Sequence, residues 1–554
     1  MSKFLQIAIL KVLLLTCCYN LFSQTPSIQW KRLIGGSNTE KIKKIELIPT
    51  KGYVVLGSTN SCDGIIQNFH GQEDVFVLFL DFSGNIKWIK SFGGASSEKP
   101  IDLIFHPYEE KIGVLMSSIS KDGDFSFKND DMYGSFFTYL NLEGEALNSL
   151  GSTSLCNNGI QPTVGKKLAM SGKSSYLLRT DSYFGTKKEE FRTILSVIFS
   201  RRFDENPSYQ NISSTREEFS CHPASMKIDD LFSIVDLVDS KDIFGQSTGF
   251  ITIGNTNTAK IFTMEYNDIK KGGKYISLKH FHSNEQKKTD AFILNLNREV
   301  NYIKLKAGSG ICIGGKGSEI AHQIFHTGFE TYRCIITSDS YDGDFKANKG
   351  KGDIWAVDFD KKLKINRILN LGTVQDDKFV SAINSEKSTA VLLYSGNANA
   401  SATDQNSDSP LANSEINANG LRLIQFDDKE LLSEVNFNLH DLNARVFRTI
   451  EQKLIVTSLI PKGKTNALGV ICIEPLSGKV IWQKIISDYD FVSADYLYER
   501  IENNFYIIGS AKDTAKPDSQ PDIFFMNLNS RNLAGSKPVL FMIILIPSLN
   551  QILQ

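Results

Sequence analysis

Residues 53–99 read YVVLGSTNSCDGIIQNFHGQEDVFVLFLDFSGNIKWIKSFGGASSEK. An apolar run, Tyr53–Gly57, leads into a polar loop with an Asp63-Gly64 turn. A second run, Val75–Asp81, ends in the tight Ser83-Gly84-Asn85 turn, and a third, around Trp88, ends in Gly93-Gly94. Short β-rich runs cut by Gly, Asn and Asp are strand and hairpin signals, so this stretch reads as a series of antiparallel strands.

The pattern recurs outward from there. WKRLIGGSNTEKIKKIELIPTKGYVVLG, from Trp30, aligns with WIKSFGGASSEKPIDLIFHPYEEKIGVL, from Trp88, so that the tryptophans, the Gly35-Gly36 and Gly93-Gly94 pairs, and Glu40 and Glu98 each recur 58 residues apart. A third copy starts at Gly314-Gly315, with Glu319 four residues after the second glycine. A weaker echo, LGTVQDDKFVSAI, offers Asp376 four residues after Gly372. STNSCDGII (58–66) returns as SSISKDGDF (117–125) and TSDSYDGDF (337–345). DVFVLFLDFSGNIKW returns from Asp290, from Asp353, at 470–484 and at 522–530.

A unit of about 60 residues holding about four short strands is the size of one β-propeller blade. Runs near 53, 112, 175, 250, 331, 388, 453 and 504 are expected to open successive units. The fold expected is therefore all-β: a propeller of about eight four-stranded blades, or seven if the irregular unit at 175 drops out. The chain enters mid-unit at Trp30 and leaves mid-unit near Asn529, so the N-terminal strand is expected to complete the last blade and remove its open edge. Length alone, at 554 residues, would suggest three or four domains, but repeats extend one architecture without adding domains. The propeller is assigned to 24–535. Residues 395–420, polar and poor in apolar side chains, read as a flexible loop. Residues 155–250 fit the period only in part and leave room for an insertion. The apolar tail within 536–554 (Val539–Ile546) is too short to span a bilayer.

Composition narrows the function. Hydrophobic residues at 41% are those of a folded globular chain, and 61 basic against 62 acidic residues leave no field to draw it to nucleic acid. The run Lys41–Lys44 reads as the solvated side of a strand. Lys3, the run Ile7–Leu15 (apolar apart from Lys11) and the small residue Ser23 follow the pattern of a secretory signal, so 1–23 reads as a cleaved leader; Thr16 and Cys17 are poor residues to precede a lipidated cysteine. Export to the periplasm, the cell envelope or the medium follows as an expectation, with no integral membrane span. Of the six cysteines beyond the leader, Cys312, Cys334 and Cys472 lie in apolar runs and read as small core residues.

The signature W-x-K-x-F-G-G with a following acid, then G-S-T-x-S-x-D-G, then D-x-F-V-x-x-L-D-x-x-G-N, resembles the secreted β-propeller repeat proteins common in Bacteroidetes-type bacteria. The resemblance is closest over 29–150 and 290–380, and it implies an exported propeller.

Several motifs compete as sites. Asp122, Asp124, Asp342 and Asp344 flank Asp-Gly turns and offer carboxylates one residue apart, as a calcium ion would use; Asp-Gly is also a strong turn dipeptide without any metal, and turn is the preferred reading. No other cofactor is expected. Gly310–Ser318 nearly spells a phosphate-binding loop, but Gly317 stands where a hydroxyl is needed and the segment belongs to the repeat. His280 and His282, and His322 and His326, have a spacing that places each pair on one strand face. The recurring tryptophans Trp30, Trp88, Trp355 and Trp482 read as packing residues. No nucleophile elbow or distinctive Cys/His environment is present, so no catalytic residue is named. The expectation is a non-catalytic binding or scaffolding propeller for a protein or glycan at the cell envelope. The alternative is a propeller-fold polysaccharide hydrolase or lyase with acids near the central channel. An enzyme should gather polar groups of shifted pKa from different blades at one mouth of the channel; a binder should show instead a broad rim with exposed aromatics and no such convergence.

Overall fold

The computed structural model describes the chain between residues 25 and 529, with breaks of which the longest are 153–166, 201–217 and 397–411. The expected leader, most of the loop 395–420 and the apolar tail lie outside the described residues. Every described helix or strand is a β-strand apart from one 3-10 turn, Gly123–Phe125.

Seven antiparallel sheets are built as blades, the first three main strands of each running from the inner strand outwards in chain order. Blade 1 comprises Glu40–Ile48, Gly52–Thr59, Asp74–Asp81 and Ile86–Phe92, and blade 2 comprises Glu98–His106, Lys111–Ser118, Gly134–Leu140 and Gly151–Ser152. Blade 3 is Phe232–Lys241, Ser247–Thr256 and Asp290–Glu299, edged by Tyr302–Lys304 and Gly310–Ile313. Blade 4 is Glu319–Gly328, Thr331–Ser338, Asp353–Asp360 and Ile365–Asn370. Blade 5 is Asp377–Asn384, Thr389–Ser395, Gly420–Phe426 and Leu431–Phe437, edged by Ala412–Asn413. Blade 6 is Arg445–Arg448, Leu454–Lys462, Thr465–Ile473 and Val480–Ile486.

Blade 7 is the closure. Its strands Asp490–Ile501, Asn504–Lys512 and Asp522–Asn529 come from the C-terminal end, and Ser27–Ile34 pairs antiparallel with Asp522–Asn529 to supply the fourth. The register runs from Ser27 opposite Asn529 to Ile34 opposite Ile523, with Trp30 opposite Asn527. Inner strands of neighbouring blades touch one another from blade 3 to blade 7, the inner strands of blades 1 and 2 touch, and Glu40–Ile48 packs on blade 7. The result is an all-β, seven-bladed propeller with its ends sewn together.

The run near 175 belongs to an eighth, six-stranded sheet that touches blade 2 through Lys167–Ser171 and blade 3 through Phe191–Ser200. Its irregularity has a topological cause. After Ser247–Thr256 the chain leaves blade 3, adds Lys260–Glu265 and Lys274–Ser277 to that sheet's edge, and only then returns at Asp290. The extra sheet is therefore built from four strands that precede blade 3 and two inserted within it.

The apolar runs expected to open each unit are instead second strands. Both faces of such a strand are covered by neighbouring blades, so it reads as a continuous apolar run; all of Gly52–Thr59 is buried. The true inner strands precede them and escape notice because their alternation is broken. A bulge falls at Ile42/Lys44, Pro100/Asp102, Ile234/Asp236, Ala321/Gln323, Phe379/Ser381 and Ala494/Tyr496, in six of the seven inner strands. Each bulge shifts the side-chain phase halfway along the strand. Core clusters span pairs of blades: Leu56, Val77 and Phe79 of blade 1 share one with Leu103, Val114 and Phe136 of blade 2.

Candidate functional site: blade seams, axis and hairpin face

Where one blade meets the next, the repeat motif builds a seam. Glu40, Glu98, Glu319 and Asp377 open the inner strands of blades 1, 2, 4 and 5, and all four are buried. Their backbone N–H groups donate to the carbonyls of Pro521 (2.9 Å), Glu73 (2.7 Å), Thr289 (2.7 Å) and Gly352 (2.8 Å) respectively. Each carbonyl belongs to the residue before the aspartate that opens the preceding blade's third strand. Two acids of adjacent blades, Glu40 with Asp522, Glu98 with Asp74, Glu319 with Asp290 and Asp377 with Asp353, are thus brought together from residues far apart in sequence. The echo read as Asp376 is corrected to Asp377: Thr373 takes the place of the second glycine, and its N–H donates to Asp377 Oδ2 at 2.6 Å.

The remaining partners repeat as well. Glu98 Oε1 accepts from the Ser118 and Ser120 hydroxyls, both at 2.7 Å, and Oε2 accepts from Gly94 N at 3.0 Å. Glu319 Oε1 accepts from Ser338 (2.7 Å) and Ser340 (2.6 Å), and Oε2 from Gly315 N at 3.3 Å. Glu40 accepts from Thr59 Oγ1 at 2.7 Å and Gly36 N at 3.2 Å. The glycine pairs are required by space. A Cβ on Gly35 would stand 2.0 Å from Asp522 Oδ1 and 2.4 Å from Glu40 Oε2. Burial pushes Glu98, Asp74 and Asp377 above the usual carboxylate range, and raises Glu319 to about 7. Burial and the neighbouring Glu40 raise Asp522 to about 7 as well.

The four aspartates weighed as calcium ligands grip the same seams. Asp122 Oδ1 accepts from Ala95 N (2.7 Å) and Asp124 Oδ2 from Gly93 N (2.9 Å), while Asp342 Oδ1 accepts from Lys316 N (2.7 Å) and Asp344 Oδ2 from Gly314 N (3.0 Å). Asp63 does the same for Ser37 N at 2.7 Å. In blades 1, 2 and 4 the Asp-Gly loop clasps the glycine-pair connection that enters the blade. Among the described residues, no group of three or more His, Cys, Asp or Glu is placed to hold a metal ion.

The other sequence motifs separate. Gly310–Ile313 is a strand, and another strand follows its loop at Glu319, so the phosphate-loop likeness has no helix behind it. His322 bonds Thr337 Oγ1 at 2.6 Å and His326 reaches the Asp239 carbonyl, so each histidine of that pair has a partner of its own. Burial lowers His322 to about 4, which keeps it neutral. His282 lies beside Asp290, with its backbone N–H donating to Oδ2 at 2.7 Å. Cys312, Cys334 and Cys472 are buried free thiols, and Cys62 is an exposed one.

Sequence reading missed the axis. Lys44, expected on a solvated face, is turned inward by the bulge after Ile42 and donates to Asp102 Oδ1 of blade 2 at 2.7 Å, with Glu46 Oε1 at 3.2 Å. Burial pulls the Lys44 ammonium down, but Asp102 and Glu46 more than offset it and its pKa is raised. Burial raises Glu46 against the pull of Lys44, and raises Asp495 of blade 7 against Ser493 and Arg445. These groups come from the inner strands of adjacent blades.

The opposite end of the blades, where the first-to-second and third-to-fourth hairpins turn, carries a different surface. Phe329 (59% exposed), Leu431 (52%), Ile450 (56%), Leu476 (69%) and Ile501 (49%) stand at or beside these turns in blades 4 to 7. No helix of the described residues is long and apolar enough to cross a membrane.

No family model matches the chain, and no curated protein matches it in sequence. Among solved structures it is similar to a polysaccharide lyase, with 9% identity over 90% of each chain and a TM-score of 0.38. It is also similar to the hemagglutinin-neuraminidase ectodomain of parainfluenza virus 5 (8% identity, 95% of each chain, TM-score 0.30) and to an apocarotenoid oxygenase of Synechocystis (8%, 89% of each chain, 0.32). At these likenesses the propeller assignment rests on strand order and closure.

Proposed function

We propose that this chain is an exported binding or scaffolding propeller that recognises a protein or glycan at the cell envelope through its hairpin face. The observation that carries the reading is the row of exposed large apolar side chains on consecutive blades, Phe329, Leu431, Ile450, Leu476 and Ile501. Exposed apolar side chains on neighbouring turns of one face mark an interaction site more often than scattered single residues do; the other face also exposes Tyr341 and Val374, so the variants below separate the two faces. The repeat's acidic residues support it too, since those at the seams are engaged with backbone amides and hydroxyls of the scaffold. Export is supported by the leader-like pattern of residues 1–23.

Capture from native envelope fractions tests this. The chain carrying Phe329→Asp, Ile450→Asp and Leu476→Asp is expected to lose its partner, while Val374→Asp, at an exposed site on the opposite face, keeps it. Equal capture by both variants would overturn the reading. The alternative, a polysaccharide hydrolase or lyase, is favoured by one observation, the convergence of Lys44, Glu46 and Asp102 from two blades at the axis. Turnover of an acidic polysaccharide that Glu46→Gln abolishes would decide for it.

A further inference from the structure

We propose that at the seams Asp522–Glu40, Asp74–Glu98 and Asp290–Glu319 the two carboxyl groups share one proton, so that adjacent blades are joined there by a carboxyl-to-carboxylate hydrogen bond that rising pH removes. The geometry places the pairs without choice. The inner-strand acid's N–H is fixed to the carbonyl just before the third-strand aspartate, so the two side chains emerge side by side into a pocket roofed by a glycine. At the closing seam both oxygens crowd the same point, Asp522 Oδ1 at 2.0 Å and Glu40 Oε2 at 2.4 Å from a Cβ built on Gly35, so they lie within about 4.4 Å of each other. At the blade 3–4 seam, Asp290 Oδ1 and Glu319 Oε2 stand 2.9 and 2.6 Å from the equivalent point on Gly314.

The hydrogen-bond inventory shows where a proton is missing. Asp522 Oδ1 and Asp74 Oδ1 are buried oxygens that no donor of the protein reaches. Glu98 and Glu319, by contrast, each receive three donors, an arrangement suited to the anion. A proton on the aspartate turns its orphaned oxygen into a donor toward the glutamate of the next blade. Two like charges in contact without water cannot both ionise at little cost.

The charged neighbours do not remove the need. Asp74 faces His70, whose Nδ1 lies 2.9 Å from Oδ2, the oxygen away from the orphan. Asp290 faces His282 through Oδ2 at 3.5 Å, with Cys312 and Asp344 nearby. Asp522 faces Lys516 and Asp513 besides Glu40. Glu98 has Asp122 and Asp124 on the loop that clasps its glycine pair. The blade 4–5 seam is the internal contrast: there Arg422 Nη1 stands 3.7 Å from Asp377 Oδ1 and supplies a fixed cation to the Asp353–Asp377 pair. Shifts of Asp522 and Glu319 to about 7 agree with one retained proton at neutral pH.

The full chain and the variant D74N/D290N/D522N, in which amides donate permanently, are melted from pH 5 to pH 8.5. The Tm of the parent is expected to fall by about 5 °C more than that of the variant over this range. Equal pH slopes would overturn the proposal. So would recovery of the parent's Tm at pH 8.5 on adding sodium or calcium, which would place a cation where the proton is assigned. Should the variant not fold, infrared spectra of the parent at pH 6 decide: a protonated-carboxyl band that vanishes by pH 9 upholds the shared proton, and its absence at pH 6 rejects it.

Discussion

Trp88 donates its indole N–H to the carbonyl of Leu142 at 2.7 Å, and its ring occupies the space a side chain at Gly144 would need, 2.6 Å from a Cβ built there. Trp30 stands in the same relation to Gly84, at 2.8 Å. The outer-strand tryptophan of one blade thus seats on the third-to-fourth turn of the next, and both glycines hold positive φ, +83° and +73°. Trp355 takes no part: it lies on a third strand and packs on Phe345 with ring centroids 5.0 Å apart.

Gly144→Ala is therefore expected to destabilise the fold by about 2–3 kcal/mol, combining left-handed strain with loss of the tryptophan seat. Denaturant unfolding of G144A, W88F and the double variant checks it. Shared contact predicts that the double costs clearly less than the sum of the singles.

Deleting residues 25–34 removes the closing strand and bares the edge of Asp522–Asn529. An unpaired apolar edge recruits other chains, so the truncated protein is expected to form dimers or aggregates at concentrations where the full chain is monodisperse. Light scattering reads the outcome. Trp30→Ala, half-buried and packed edge-on against Phe525 at 4.9 Å, should cost about 2–3 kcal/mol while keeping the strand.

Glu319 gives a pH prediction with a definite sign. Its folded pKa, about 7, exceeds the unfolded value of 4.5, so its favourable contribution is complete below about pH 4.5 and is lost as pH rises through 7. The limit is about 3 kcal/mol between those plateaus. Glu319→Gln should narrow the gap between urea midpoints measured at pH 5 and pH 8. Below pH 4, acid unfolding through other carboxylates is expected to dominate.

At the Asp-Gly turns, amide acceptance and calcium binding make opposite demands. An asparagine still accepts from Lys316 N, so Asp342→Asn should be nearly neutral and Asp342→Ala should lower the Tm. A calcium ligand would suffer from both changes alike. Melting with and without chelator is expected to give the same Tm.

Much of the propeller was legible because its seams are written in rigid residues. Gly35-Gly36, Gly93-Gly94 and Gly314-Gly315 cannot vary while acids crowd their α-carbons, and Glu40, Glu98 and Glu319 recur because each answers the same backbone carbonyl. That the N-terminal strand completes the last blade followed from where the repeat starts and stops. The inner strands were not legible: in six of the seven a bulge cancels the period-two pattern, so Lys44 read as solvated when it meets Asp102. Asp377 was missed by one position because Thr373 replaces a glycine. The rim of Phe329, Ile450 and Leu476 carried no signal, since isolated apolar residues in turns look alike whether exposed or buried.

In blades 1, 2, 4, 5 and 6 a hairpin joins the third strand to the fourth; in blade 7 that turn is replaced by a break, with Ser27 and Asn529 facing each other across the ladder. A short linker from Asn529 back to Ser27 would restore the missing hairpin. The chain could then be reopened at another surface turn, such as 49–51, to give a circular permutant with the same sheets and a different blade sewn last. Which blade does the sewing is thus a matter of where the ring is opened, whereas the need for one to do it is built into the ring.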